Sequence, residues 1–185
     1  MRIVSGKHKG RPLSAPKGSD TRPTSDRARE AIFNVLEHGV VGPGLPGAKV
    51  ADIFAGTGAL GLEALSRGAA ACVFVDKGRG AVQALRDNVL TLGESDTTKI
   101  ITKDATALGP APDGPVDYAF LDAPYNQDLS TAALNSLAGN GWLADGCVVM
   151  VEVAKDEQLI PPPGFALVKE KAYGAARAVF LTYAA

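Results

Sequence analysis

The stretch Val50 to Ala64, VADIFAGTGALGLEA, constrains this chain more than any other. Val50, Ile53 and Phe54 form a short apolar run suited to a buried parallel strand. Ala55-Gly56-Thr57-Gly58 breaks that run. Ala59 to Arg67 then has helix-forming composition, with Leu60, Ala64 and Leu65 near one face. Strand, small-residue turn and helix in that order set backbone N–H groups at a helix N-terminus, facing the strand's carboxyl end. Such a corner binds an electron-rich ligand by close backbone approach, and a side chain at Gly56 or Gly58 is expected to fill the ligand's space.

The ligand stays open at this point. Gly56-x-Gly58-x-x-Gly61 matches the dinucleotide fingerprint, and Asp76 lies about twenty residues further on, where a ribose-binding acid is expected. S-adenosylmethionine (SAM) enzymes use the same corner and also place an acid after the second strand. A tight turn with no ligand is the plainer alternative.

With 185 residues the chain has room for one α/β domain and a small appendage. No run approaches the ~20 apolar residues that span a bilayer. The opening MRIVSGKHKGR lacks the apolar core of a signal peptide, so a cytoplasmic location is expected. Cys72 and Cys147 sit far apart in apolar runs and read as buried thiols, and two Cys with two His offer no metal-ligand spacing. Charge is uneven. Residues 1–36 hold eight basic side chains against three acidic, +5, which leaves −6 for the rest of a chain whose net charge is −1. A basic arm on an acidic body points to a polyanion held at one end.

Residues 1–40 read as that arm. Arg2 to Ser5 and Arg11 to Leu13 flank a Gly6-to-Gly10 turn, a small hairpin presenting Lys7, Lys9 and Arg11, with His8 part of the polar turn. Thr24 or Ser25 is expected to cap a helix that runs to about Glu37, and Gly39 to Gly47 is a linker. Residues 41–185 then alternate strand and helix, the pattern of a parallel sheet. Strands are expected over 71–75, 99–102, 116–121 and 147–153, and helices over 80–92 and 130–137. Trp142 reads as a packing residue. After Pro161-Pro162-Pro163-Gly164 the runs 165–172 and 176–183 read as a closing antiparallel hairpin. That ending favours SAM over NAD, since a dehydrogenase more often continues with another βα unit.

Asp122-Ala123-Pro124-Tyr125, after the fourth strand, faces the same crevice as Gly56 and Asp76. The exocyclic amine of a base is a poor nucleophile because its lone pair is conjugated into the ring. A carboxylate and a backbone carbonyl in a rigid turn accept its N–H bonds and let the nitrogen pyramidalise. An adjacent aromatic ring stacks on the base and aims the amine. A base reached this way is unstacked or flipped.

Here the chain resembles a known family over nearly its whole length. RIVSGKHKGRPL, RPTSDRAREAIFNVL, DIFAGTGALGLEALSRGA, DAPY, NGWL and KAYG resemble the RsmD family of 16S ribosomal RNA guanine-N2 methyltransferases. The resemblance implies a class I SAM-dependent methyltransferase fold, a Rossmann-like and mostly parallel seven-stranded sheet ending in an antiparallel hairpin. It implies SAM as methyl donor and a 16S rRNA guanine, within a small-subunit assembly, as acceptor. Asp52, Phe54, Ala55, Gly56, Thr57, Gly58, Asp76, Lys77, Asp104, Ala105 and Asp122 would then line the SAM site, Asp76 on the ribose hydroxyls and Asp104 with Ala105 near the adenine. Asp122, Ala123, Pro124 and Tyr125 would be catalytic. Lys7, Lys9, Arg11, Arg22, Thr24 and Arg27 would meet the RNA. A monomer without metal is expected. The family's turn is Asp-Pro-Pro followed by an aromatic, and Ala123 replaces its first Pro while keeping the carbonyl acceptor. An adenine-N6 DNA methyltransferase and a SAM-binding assembly module without turnover are the rival readings.

Overall fold

The apolar runs of the body are too short to bury themselves singly, and they pair into one seven-stranded sheet. The structure is a computed structural model describing residues 1–16, 25–39 and 41–185. Arg22 and Thr24 lie outside the described residues. In chain order the elements are α1 (Asp26–Glu37), β1 (Lys49–Ile53), α2 (Ala59–Ser66), β2 (Ala71–Asp76), α3 (Arg79–Leu92), β3 (Thr98–Thr102), β4 (Val116–Leu121), α4 (Leu129–Gly139), β5 (Leu143–Ala154), β6 (Phe165–Tyr173) and β7 (Ala176–Tyr183). The sheet order is β3-β2-β1-β4-β5-β7-β6, parallel from β3 to β5, with β7 antiparallel to both neighbours. The chain leaves β1 for β2 on one side and returns through β4 on the other. The carboxyl ends of β1 and β4 therefore form the switch point where open α/β sheets bind ligands.

Alternation along each strand divides the core in two. One face carries Val50, Phe74, Phe120, Met150 and Phe180, covered by α1, α2 and α3 and by Ile3 and Leu13 of the N-terminal segment. The other carries Ile53, Val75, Leu121, Val151 and Leu181 under α4 and Trp142. Trp142 packs as expected, its indole N–H donating to the Gly109 carbonyl at 2.8 Å. Where strand and helix alternate elsewhere, β3 passes to β4 through residues 103–115 without a helix; Pro110 and Pro112 disfavour one there. The closing hairpin is present, with β7 inserted between β5 and β6 and a register shift at Leu167/Lys169. Strand β5 starts four residues before the expected Cys147, because Leu143 pairs with Val116 across a register shift. Ser25 caps α1, its hydroxyl accepting from Ala28 N–H at 3.1 Å.

The N-terminal segment is a single antiparallel bridge, Arg2 to Pro12, rather than two strands. Its partners are in α2. Glu63, fully buried, accepts Val4 N–H at 2.8 Å and Ser5 N–H at 2.9 Å. It also pairs with Arg67 at 2.8 Å and with buried Arg29 of α1 at 3.5 Å. Arg29 donates in turn to the Arg2 carbonyl and to Asp26. One turn on, the Lys7 N–H bonds the Ser66 carbonyl at 2.8 Å. Gly6, at φ +80, lies so close that a Cβ would stand 1.9 Å from that carbonyl oxygen.

Glu63→Ala should therefore destabilise the fold by about 3–5 kcal/mol, because it removes a buried carboxylate shared by Arg29, Arg67 and the Val4 and Ser5 N–H groups. Urea unfolding checks this. A loss below about 1 kcal/mol would mean that Arg29 finds another partner.

Candidate active site

Three glycines build the corner, and they do different things. Gly56 has φ +56 with open space where a Cβ would stand, the room a ligand needs. Gly58 does not face that space, contrary to expectation. At φ +80 its Cβ would meet Leu85 Cδ1 at 2.4 Å, so it permits packing of α2 against α3. A Cβ on Gly61 would meet Phe74 Cε1 at 2.4 Å, so that glycine lets α2 lie close on the sheet.

The expected acids converge at this end of the sheet. Asp76 accepts Gly56 N–H at 2.8 Å and Gly78 N–H at 2.7 Å, which fixes its carboxylate in the corner. Asp52 is buried and accepts Gly61 N–H at 2.8 Å, taking over the cap that the Gly58 N-cap of α2 lacks. Burial pushes the Asp52 carboxyl well up, more than the Gly61 N–H lowers it, and the Asp122 and Asp76 charges add to the rise. Asp104 pairs with Lys77 at 2.8 Å and accepts Thr106 N–H and hydroxyl, contacts that hold its carboxyl below the usual range. Ala55, Ala105 and Ala123 are buried, while Pro124 is exposed and Tyr125 is 37% exposed.

Register places the Asp122-Ala123-Pro124-Tyr125 turn among these groups. Ile53 pairs with Val75 and Leu121, and Leu121 pairs with Val151. One residue further on come Phe54, Asp76, Asp122 and Glu152. Alternation turns the three acids to the face of Phe74, Phe120 and Met150. Asp122 is tied to β1 through its N–H and the Ile53 carbonyl at 3.3 Å. Phe54 leaves the row at φ +60, and Asn126 and Asp128 follow the turn at φ +57 and +53. Among the described residues these are the three left-handed non-glycine positions, and all follow the carboxyl ends of β1 and β4, where strain of this kind often marks functional sites.

Glu152 and Tyr173 were not among the expected residues. Tyr125 donates its hydroxyl to the buried Glu152 carboxylate at 2.7 Å. The Tyr173 hydroxyl is buried with no hydrogen-bond partner among the described residues, and burial raises its pKa, with Glu152, Asp122 and Tyr125 adding to the rise. The signal for Glu152 was a lone acid inside the apolar run VVMVEVA, in step with Met150.

The arm residues divide. Lys7 is bound to the buried Glu94 at 2.6 Å, which His8 also contacts at 2.5 Å, and the Arg11 guanidinium donates to the Thr91 carbonyl at 2.9 Å. Lys9 and Arg27 are exposed. Buried Asn88 clasps Ser14 through both backbone groups and donates to the Thr57 carbonyl at 3.0 Å, joining the segment to the glycine corner. Among the described residues no group of three or more His, Cys, Asp or Glu is placed to hold a metal.

This sheet order, glycine corner and acid row define a class I methyltransferase fold. A family model described as Conserved hypothetical protein 95 matches residues 1–182. The chain is 36% identical over 176 residues to Ribosomal RNA small subunit methyltransferase D of Escherichia coli K12, covering 94% of this chain and 85% of that protein. It is 35% identical over 178 residues to the putative rRNA methyltransferase YlbH of Bacillus subtilis, covering 94% of each. The solved structure of the putative methyltransferase yhhF from Escherichia coli superposes with a TM-score of 0.83 at 34% identity, covering 100% of this chain and 98% of that one. The chain belongs to the RsmD family.

Burial raises the Glu94 carboxyl, but hydrogen bonds from Lys7, Thr97 and His8 outweigh that and bring it down to about 2 from its ordinary 4.5. A lowered carboxyl stabilises the fold above its unfolded pKa. Stability should therefore fall as pH drops from 4.5 towards 2, and Glu94→Gln should flatten that slope in urea titrations across the window.

Proposed function

We propose that the protein transfers a methyl group from SAM to the exocyclic N2 amine of a guanine in 16S ribosomal RNA. The observation that carries this reading is the acid row beside the glycine corner, with Asp122 opening the Asp-Ala-Pro-Tyr turn. SAM supplies, when bound, an electrophilic methyl on a cationic sulfonium. The site suits it in charge: the Asp76 and Asp122 carboxylates both lie close enough to act on Asp52 at this end of the sheet, and Lys77, next to Asp76 in the chain, is paired with Asp104. A dinucleotide would bring an anionic diphosphate against the same carboxylates. The open space at Gly56 and the fixed Asp76 carboxylate fit a ribose diol.

In the acceptor half, the Asp122 carboxylate and the Ala123 carbonyl accept the amine's N–H bonds. That holds the lone pair out of conjugation. The half-exposed Tyr125 ring stacks on the flipped base, and Asp76, with Asp104 and Ala105, binds the donor nucleoside. Methyl-transferring relatives named for small-subunit rRNA support the substrate class. The basic N-terminal segment, joined to the corner through Asn88, supports a polyanion approaching from that side. Lys9, Arg27, Arg22 and Thr24 are assigned to it, with Lys7 and Arg11 shaping the arm they also anchor.

Labelled methyl transfer from SAM to rRNA of cells lacking the enzyme, with mapping of the modified base, should mark a guanine N2. A methylated adenine N6 would overturn the base assignment. Tyr125→Ala should lower transfer by roughly tenfold or more, as expected for lost stacking of about 1–3 kcal/mol. Asp122→Ala should cost more, with SAM affinity by calorimetry changing less than the rate in both. Full transfer by Asp122→Ala would sink the mechanism.

A further inference from the structure

We propose that Glu152 is a positioning residue that sets the orientation of the Tyr125 ring, and so the aim of the acceptor base; this rests on the acceptor reading above. Tyr125 leaves the sheet in a turn whose following residues, Asn126 and Asp128, are left-handed, and over a third of it is open to solvent. An aromatic in such a place has rotamer freedom unless something holds its far end. Its hydroxyl is held, at 2.7 Å, by a carboxylate only 5% exposed. That carboxylate stands on β5, next in the sheet to the strand that carries Asp122. The stacking ring and the amine acceptor are therefore indexed to two adjacent strands rather than to the turn alone. The buried Tyr173 hydroxyl, contributed by the closing hairpin, lies near the same pair, and a charge-assisted hydrogen bond to a buried carboxylate is stronger than one in open water.

A carboxylate buried beside Asp122 at a sheet end is costly to retain, and apolar packing would suit the Val149-to-Val153 run as well. The bond to Tyr125 gives Glu152 a task that packing does not. Misplacing a bound base by about 1 Å can slow a reaction on the order of a hundredfold, so ring orientation has the leverage this assignment needs.

The test is a double-mutant cycle on the full chain. Tyr125→Phe keeps the ring and removes the hydroxyl. Glu152→Ala removes the acceptor, and Glu152→Gln retains one. Each of the first two should lower kcat by roughly tenfold with SAM affinity unchanged. Glu152→Gln should restore most of the loss, and the double variant Tyr125→Phe/Glu152→Ala should be no worse than either single one. In ring-labelled protein, the carbon-13 signals of Tyr125, assigned by their loss in Tyr125→Phe, should shift in Glu152→Ala and return in Glu152→Gln. Losses that multiply in the double variant, or full kcat in Tyr125→Phe, would overturn the assignment. Should Glu152→Ala fail to fold, Tyr125→Phe and Glu152→Gln decide the matter alone. Wild-type protein that transfers no methyl to rRNA would instead defeat the acceptor reading, while the ring signals still report on the hydrogen bond.

Discussion

A buried carboxylate must be matched or it unfolds what surrounds it, and Glu63 is matched from three directions. Two backbone N–H groups come from the N-terminal segment, one guanidinium from its own helix and one from α1. Taking such a charge out of water costs several kcal/mol, recovered only when its lone pairs are filled. The first sixteen residues, α1 and α2 therefore hold their places together. Since α2 starts at the glycine corner, Glu63 helps set the position of the basic segment relative to that corner, together with Asn88 and Glu94. Arg67 reinforces the arrangement by pairing with Glu37 at 2.9 Å and lying 4.9 Å over the Phe33 ring.

The active end of the sheet follows a second constraint. Parallel strands in register present residues of equal parity to one face, so Asp76, Asp122 and Glu152 come level without any local motif linking them. Their mutual repulsion is relieved in part by backbone donors to Asp76 and by the Tyr125 hydroxyl on Glu152. A cationic ligand relieves more of it. On the proposed reading, the energetic cost of gathering these acids and the charge of the methyl donor would be complementary.

Periodicity and punctuation made much of the frame legible. Val116 to Leu121 forms a strand over the expected span, Ser25 caps its helix, and the Pro-Pro-Pro-Gly run precedes the closing hairpin. What escaped was set by partners distant in sequence. The bonds of Val4 and Ser5 depend on Glu63, and those of Lys7 and His8 on Glu94, nearly ninety residues away for His8 by chain separation 86. Composition located the basic charge but could not say that Lys7 and Arg11 are used to attach the segment. Gly58 misled because its left-handed backbone turns the missing Cβ towards Leu85. Asp52 was placed near the ligand by position, yet its burial makes it the cap of α2. Asp122 and Tyr125 were candidates from the chemistry of the Asp-Ala-Pro-Tyr turn, whereas Glu152 needed the register of β4 on β5.

The register shift in the outermost strand has a consequence of its own. With β7 inside, β6 forms the rim of the sheet, and its backbone presents unpaired N–H and C=O groups that a neighbouring molecule's strand can zip onto. The irregularity at Leu167/Lys169 interrupts that template, and Lys169 and Lys171 place like charges where a second copy would dock. Leu167 and Val168, both exposed, sit at the same break and so offer no continuous sticky ridge. The chain thereby carries a guard against edge-to-edge aggregation in the last element it needs to complete its sheet.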